Sequence, residues 1–295
     1  MARITANGIE IEYEEAGKRG APAILLVHGL GAQLTLWPDD FVERLAFHGF
    51  HVVRYDNRDI GLSQKFDSYG VPRLPALTAR VMAGERIEAP YLLSDMAADG
   101  MALAEALDLG RPHVVGVSMG GMIAQHMAGD FPARVASLTS IMSSSGRPGL
   151  PQGDPQVMSL LLSPPAASDR ETVVSHGIRL RKAIAGPSFL ESQSTLRTLV
   201  ERNFDRSYHP QGAARQYNAI LASGSRVKLL KGIKAPTLVI HGSDDPVVPV
   251  EAGRDTAALV PGARLEEIEG MGHDLPTALL PKLANLIADH ARLAK

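Results

Sequence analysis

Apolar and acidic positions alternate along Ile9-Glu10-Ile11-Glu12-Tyr13-Glu14. That period of two predicts a half-exposed strand near the edge of a sheet. The next apolar segment, Ala23-Ile24-Leu25-Leu26-Val27, has no polar face. A short run of strand formers with that character predicts a strand covered on both sides, as in a parallel sheet. Residues 51–55, 113–117, 135–139 and 237–240 share it, and 264–268 reads as one further strand. Between them the period changes. Residues 94–109 place Met96, Leu103 and Leu107 on one face and Asp95, Asp99 and Glu105 on the other, which predicts an amphipathic helix. Residues 119–130 follow the strand at Val117 as a helix, and 276–293 form the last one, with Pro276 in its first turn. Strands alternating with helices predict an α/β fold, a mostly parallel sheet with helices on both faces.

One stretch breaks this rhythm. From about Arg147 to Lys228 only proline-punctuated helical patterns occur, at 157–162, 171–184, 192–204 and 213–223. The stretch carries 11 Lys and Arg against 6 Asp and Glu, whereas the remainder carries 19 against 26. It is expected to be a helical cap over 147–230, inserted into a core formed by 1–146 and 231–295. Residues 66–90 are expected to be irregular and to add to the same rim.

The composition narrows the chemistry. Among 295 residues there is no cysteine, which excludes disulfides, thiolate zinc sites, iron–sulfur clusters and a cysteine nucleophile. A net charge of −2 gives no general attraction to nucleic acid. The first residues hold no apolar stretch of signal-peptide length, and no run reaches the ~20 residues of a membrane helix. A soluble, cytoplasmic protein with neither nucleic-acid nor membrane partner is expected.

Gly116-Val117-Ser118-Met119-Gly120 matches G-x-S-x-G and lies between a buried strand and a helix. In such a turn side chains at 116 and 120 would collide with neighbouring backbone, and Ser118 is lifted to the helix N-terminus. A serine hydroxyl needs a base to take its proton. Of the ten histidines, His273 lies in a glycine-rich loop after a strand, at the sheet end where ligands meet parallel sheets. His51, His113, His126 and His241 read as structural. The orienting carboxylate is expected from Gly242-Ser243-Asp244-Asp245-Pro246. Asp245 leads His273 by room for one helix and one strand, while Asp244 suits a turn. Backbone N–H groups of Met119 and of Leu30, in Val27-His28-Gly29-Leu30-Gly31, are the expected oxyanion donors.

These residues, with Asp56-Asn57-Arg58-Asp59-Ile60-Gly61-Leu62-Ser63 and the order Ser118, Asp245, His273, resemble the α/β-hydrolase superfamily along nearly the whole chain. The resemblance implies an eight-stranded, mostly parallel sheet with a helical cap after strand six. Epoxide hydrolases and haloalkane dehalogenases carry aspartate at the position of Ser118. C–C bond hydrolases place tryptophan after the histidine, where Asp274 stands here. Many relatives have D-x-R-G-x-G-x-S, with glycine where this chain has Asp59. In that departure, and in Gly270-Met271-Gly272-His273 followed by Leu275-Pro276, the chain is similar to the polyketide methyl-esterase branch.

The expectation is therefore a serine hydrolase that cleaves small-molecule carboxylic esters through an acyl-enzyme on Ser118, without metal or organic cofactor. No H-E-x-x-H or G-x-x-x-x-G-K motif occurs. The same triad would serve a perhydrolase, thioesterase or lactonase, and a receptor on this scaffold would use the cavity without turnover. His28, Gly29, Met158, Leu161, Phe189 and Tyr217 are the candidate substrate-lining residues. Basic cap residues, Arg179, Arg181 and Lys182 among them, read chiefly as solvated helix faces or as partners for the acidic core, with anion recognition as their other use. The sequence leaves the physiological ester and the oligomeric state open.

Overall fold

The computed structural model describes residues 2–294. Along the chain the elements are β1 (Ala2–Ala6), β2 (Ile9–Ala16), β3 (Ala23–Val27), α1 (Asp39–Phe47), β4 (His51–Tyr55), α2 (Leu74–Met82), α3 (Leu93–Ala106), β5 (His113–Val117), α4 (Met119–Asp130) and β6 (Ser137–Ile141). There follow α5 (Pro155–Leu162), α6 (Arg170–Ile184), α7 (Gln193–Arg206), α8 (Pro210–Ser223), α9 (Val227–Leu230), β7 (Thr237–Gly242), α10 (Val250–Leu259), β8 (Arg264–Ile268) and α11 (Leu280–Leu293). All eight strands form one sheet in the order β1-β2-β4-β3-β5-β6-β7-β8. β2 pairs antiparallel with β1 and β4, and every other pairing is parallel.

The alternation of side chains explains the two-sided burial of the central strands. Leu25 and Val27 of β3 join α3, α4 and Leu259 of α10 in the apolar layer on one face. Ile24 and Leu26 join Phe41 and Leu45 of α1 and Leu283 and Ile287 of α11 on the other. The helices between β6 and β7 carry a small core of their own, Val174 and Ile178 of α6 against Leu196 and Val200 of α7. Leu230 of α9 instead packs into the main core. No helix among the described residues is long and apolar enough to cross a membrane.

Several boundaries differ from the sequence expectation, each for a physical reason. The strand expected at 135–139 runs over Ser137–Ile141, because its register against β5 pairs Ser137 with His113 and Ile141 with Val117. Pro276 does not begin the last helix. It precedes a 3-10 turn at Thr277–Leu279, and Pro281 occupies the first turn of α11. Residues 66–90 are not wholly irregular: a 3-10 turn at Asp67–Tyr69 and α2 lie there. α2 has no buried residue, so no apolar stripe announces it.

Candidate active site

Parallel strands deliver their carboxyl ends, and the loops after them, to one edge of the sheet. β5 ends at Val117, and the chain turns at once into α4 with Ser118 as the N-cap, at φ 56° and ψ −122°. That left-handed conformation costs a non-glycine residue about 1–3 kcal/mol and persists only where its surroundings enforce it. Here they do. A Cβ on Gly116 would lie 2.0 Å from the Gly120 carbonyl oxygen, and one on Gly120 would lie 2.1 Å from the Val27 oxygen. The Ser118 N–H donates to Ile141 O (2.9 Å), and Ser143 Oγ donates to Ser118 O (2.8 Å). Ser143, two residues past the end of β6, is thus a support of the turn that no sequence pattern announces.

His273 and Asp245 reach Ser118 from the loops after β8 and β7. His273 Nε2 stands 2.9 Å from Ser118 Oγ, and His273 Nδ1–H donates to Asp245 Oδ2 at 2.7 Å. The other oxygen of Asp245 accepts the Val247 and Val248 N–H groups, both at 2.8 Å. Burial works against the Asp245 charge, but His273, His241 and the Val248 N–H together hold the carboxyl well below the usual carboxylate range. It therefore presents a fixed negative charge to the imidazole. Asp244 is exposed and accepts the Gly270 N–H at 3.2 Å, the turn-bracing use expected of it. His241 Nε2 donates to Val248 O (2.7 Å) and braces the Asp245 loop from behind.

The loop after β3 closes over the serine. A Cβ on Gly29 would come within 3.3 Å of Ser118 Cβ, so only glycine fits against the hydroxyl without displacement. Met119 N–H opens α4, and neither it nor the Leu30 N–H has an acceptor among the described residues. The loop is held from three directions. Gly31 N–H donates to Gln216 Oε1 of α8 (3.0 Å), while Leu34 N–H donates to Asp56 Oδ1 (2.7 Å). The third hold is His28, whose ring is wholly buried, with Nδ1–H donating to Gly29 O and Nε2 accepting the Asn57 N–H, both at 2.9 Å. Burial holds its imidazole below the ordinary value, so it stays neutral.

These contacts correct part of the substrate-lining expectation. Both nitrogens of His28 are spent on the loop, so the ring is a brace and does not face substrate. Phe189 packs against the apolar layer under α1 and α11. Tyr217 lies on α8, which packs against α2. Met158 and Leu161 of α5 are half-buried. Gln216, whose amide also donates to Arg58 O (2.9 Å), was missed, because a lone glutamine in a helix carries no pattern in sequence.

Asp59 stands in the position where many relatives carry glycine, and it keeps the glycine-like conformation, φ 74°. Its buried carboxylate receives both Arg215 Nε and Nη2 (2.7 Å each), the Tyr91 hydroxyl (2.7 Å) and the Phe66 N–H (2.9 Å). Asp59, Asp67 and His209 place ligand atoms within 4.8 Å of one another, a spacing that suits a cation. The Arg215 guanidinium already supplies that charge, donating to Asp67 as well (2.8 Å).

The α/β-hydrolase-fold family model matches residues 22–276. The chain is 32% identical to the rhodomycin D methylesterase DauP of Streptomyces sp. (strain C5), over 99% of this chain and 98% of the relative. It is 30% identical to the rhodomycin D methylesterase DnrP of Streptomyces peucetius, with the same coverage. Among solved structures, the enol-lactonase of Burkholderia xenovorans LB400 superposes with a TM-score of 0.75 at 21% identity, covering 99% of this chain and 100% of that one.

Proposed function

The chain belongs to the α/β-hydrolase fold family, and from that membership we propose that it hydrolyses carboxylic esters through an acyl-enzyme on Ser118. The observation that carries this reading is the unbroken line from Ser118 Oγ through His273 to Asp245, at 2.9 and 2.7 Å. His273 Nε2 takes the Ser118 proton as Oγ attacks the acyl carbon, and Asp245 holds the tautomer that leaves Nε2 free and stabilises the imidazolium. The oxyanion settles on the Leu30 and Met119 N–H groups, each worth about 3 kcal/mol to the transition state. His273 protonates the departing alkoxide, then takes a proton from water as the water oxygen attacks the acyl carbon, and returns it to Ser118 Oγ as the acid leaves. The positive end of α4 adds to the stabilisation of the oxyanion.

In this reading residues 147–230 act as the cap over a core of 1–146 and 231–295, and substrate enters between them. The similarity to two methylesterases makes methyl esters the first class to examine. The test is hydrolysis of p-nitrophenyl esters from acetate to dodecanoate and of the matching methyl esters, wild type beside Ser118→Ala. Turnover in the wild type with a fall of at least about 10³-fold in the variant is expected. Equal rates in the two proteins would overturn the proposal. A thioester, a lactone and peroxide as competing acyl acceptor, run in the same assays, rank the other reactions open to one acyl-enzyme.

A further inference from the structure

Leu30 stands between Gly29 and Gly31, two residues without a Cβ to resist rotation, so the direction of its N–H depends on what holds the peptides around it. The segment is a turn: Ala32 N–H donates to Gly29 O at 3.3 Å, and Gly31 sits at φ 64°. A trans peptide points its C=O and N–H in opposite directions. The bond from His28 to Gly29 O therefore fixes the plane that carries the Leu30 N–H. The next plane carries the Gly31 N–H, and this is the group that Gln216 Oε1 accepts at 3.0 Å. One hold comes from the core and the other from α8.

Gln216 is wholly buried, and both ends of its amide are spent on backbone: Nε2–H donates to Arg58 O at 2.9 Å while Oε1 meets Gly31. A carbonyl on one side and an N–H on the other allow the amide a single orientation. The helix that carries it is tightly seated. A Cβ on Gly212 would lie 1.9 Å from Asp59 O, and one on Gly31 would lie 3.2 Å from Ala213 Cβ. Arg215, the residue before Gln216, is paired with the buried Asp59. The departure from glycine at Asp59 thus fastens α8 in place, and the next residue along the helix transmits that placement to the turn beside Ser118.

We propose that Gln216 is a positioning residue for ester hydrolysis: by holding the peptide after Leu30 it keeps the Leu30 N–H aimed at the oxyanion, so that α8 completes the oxyanion site. Without this bond the turn relaxes at Gly31, and a donor displaced by about 1 Å loses much of its effect on the transition state. The carbonyl of the bound ester carries far less charge than the oxyanion, so it gains little from the same N–H. The loss therefore falls on kcat and not on substrate binding.

This inference rests on the ester-hydrolase reading, and its test separates the two. Hydrolysis of p-nitrophenyl butyrate is measured for wild type, Gln216→Met, Gln216→Asn, Gln216→Glu and Ser223→Ala. Gln216→Met keeps the length of the side chain and removes both hydrogen bonds; kcat is expected to fall about 10- to 100-fold with KM within about threefold. Gln216→Asn stays polar but draws its amide back from Gly31, and its kcat is expected to fall in the same way. Gln216→Glu keeps an acceptor for the Gly31 N–H and is expected to recover at least about threefold over Gln216→Met. Ser223 Oγ accepts the Leu93 N–H at 3.0 Å and fastens the other end of α8. Ser223→Ala is expected to lower the melting temperature and to leave kcat within about twofold.

Octylboronic acid gives the second readout. Ser118 Oγ adds to boron as its proton passes to His273, and the tetrahedral anion places a boron hydroxyl where the oxyanion forms. Its inhibition constant is expected to rise at least about fivefold in Gln216→Met and Gln216→Asn, whereas methyl octanoate, titrated calorimetrically into Ser118→Ala with and without Gln216→Met, binds within about twofold. An inhibition constant does not depend on the fraction of folded protein, so partial unfolding does not imitate the result, and Gln216→Asn decides if Gln216→Met does not fold. A kcat within about threefold of wild type, an unchanged boronate constant, an equal loss of ester affinity, or a kcat loss in Ser223→Ala matching that in Gln216→Met would each overturn the positioning role. Those results with an active wild type leave the hydrolase reading standing. A wild type that neither turns over esters nor binds the boronate would overturn both.

Discussion

At Ser118 the backbone and the chemistry are one arrangement. The φ of 56° that lifts Oγ toward His273 exists because Gly116 and Gly120 let the strand end and the first turn of α4 approach within side-chain distance. Gly116→Ala puts a Cβ 2.0 Å from the Gly120 oxygen, so the turn must open. A stability loss of about 3 kcal/mol in urea unfolding, with activity reduced at least about 10²-fold, is the expected outcome. Asp245→Asn keeps the shape but offers Nδ1 a donor in place of an acceptor, which favours the wrong tautomer. A kcat lower by about 10⁴-fold with an unchanged melting temperature is expected, and a decrease under tenfold would show that Asp245 does not orient His273. Ser118, Asp245 and His273 were legible in the sequence, because their loops follow buried strands in a fixed order. Leu30 and Met119 were expected from position alone, and their N–H groups have no acceptor among the described residues. Ser143 and Gln216 were not, since what they contribute is a hydrogen bond across 25 and 185 residues, with no local pattern. His28, beside the glycine loop, reads in sequence as a substrate contact or as a brace of the loop, and its two occupied ring nitrogens decide for the brace.

At the scale of elements, the helices between β6 and β7 are fastened to the core by buried charge as well as by apolar packing. Arg215 of α8 meets Asp59, Arg206 of α7 meets Asp56 at 2.8 Å, and Ser207 Oγ donates to Gly61 O at 2.8 Å. All three bonds land on the segment after β4. The Asp59 departure from glycine, visible in sequence only as an anomaly, is one of these fastenings. Asp59→Gly restores the commoner residue and its easy left-handed turn, yet it removes the buried carboxylate of a guanidinium that is 1% exposed, leaving it only the exposed Asp67 and the Gly70 carbonyl. Loss of a buried partner costs about 3–5 kcal/mol, so the variant is expected to be less stable by an amount in that range, measured by urea unfolding. A variant as stable as the wild type would mean that Arg215 finds another partner. The buried strands were legible because apolar runs announce them. The edge strand β1 and the surface helix α2 were not, because neither buries a continuous apolar face.

For the whole molecule, several interior histidines are held neutral. Burial pushes His113, at the start of β5, down to about 4, with His290 and Arg111 adding to the effect. His28, His126 and His290 shift the same way, each chiefly through burial. An unfolded histidine titrates near 6.5. A folded-state pKa below that value means that the unfolded chain takes up protons first as the pH falls. The contribution to stability is thus complete above about pH 6.5 and declines between 6.5 and 4. Urea midpoints measured across that window are expected to fall, and His113→Gln, which retains a polar group opposite Ser137 Oγ, to make the fall shallower. A pH-independent midpoint would show that these histidines are solvated.

The central claim is that Ser118, in this environment, is the nucleophile. A fluorophosphonate tests it directly, since attack by Oγ forms an Oγ–P bond, expels fluoride and leaves a phosphonyl adduct that water cleaves only slowly. Mass spectrometry of the intact and digested protein is predicted to find one adduct per chain, on the peptide containing Ser118. Loss of ester hydrolysis should run in step with its formation, and labelling should vanish in Ser118→Ala and be strongly slowed in His273→Ala. Ester turnover that continues in the fully labelled protein, or an adduct on another residue that accounts for the loss, would contradict the account.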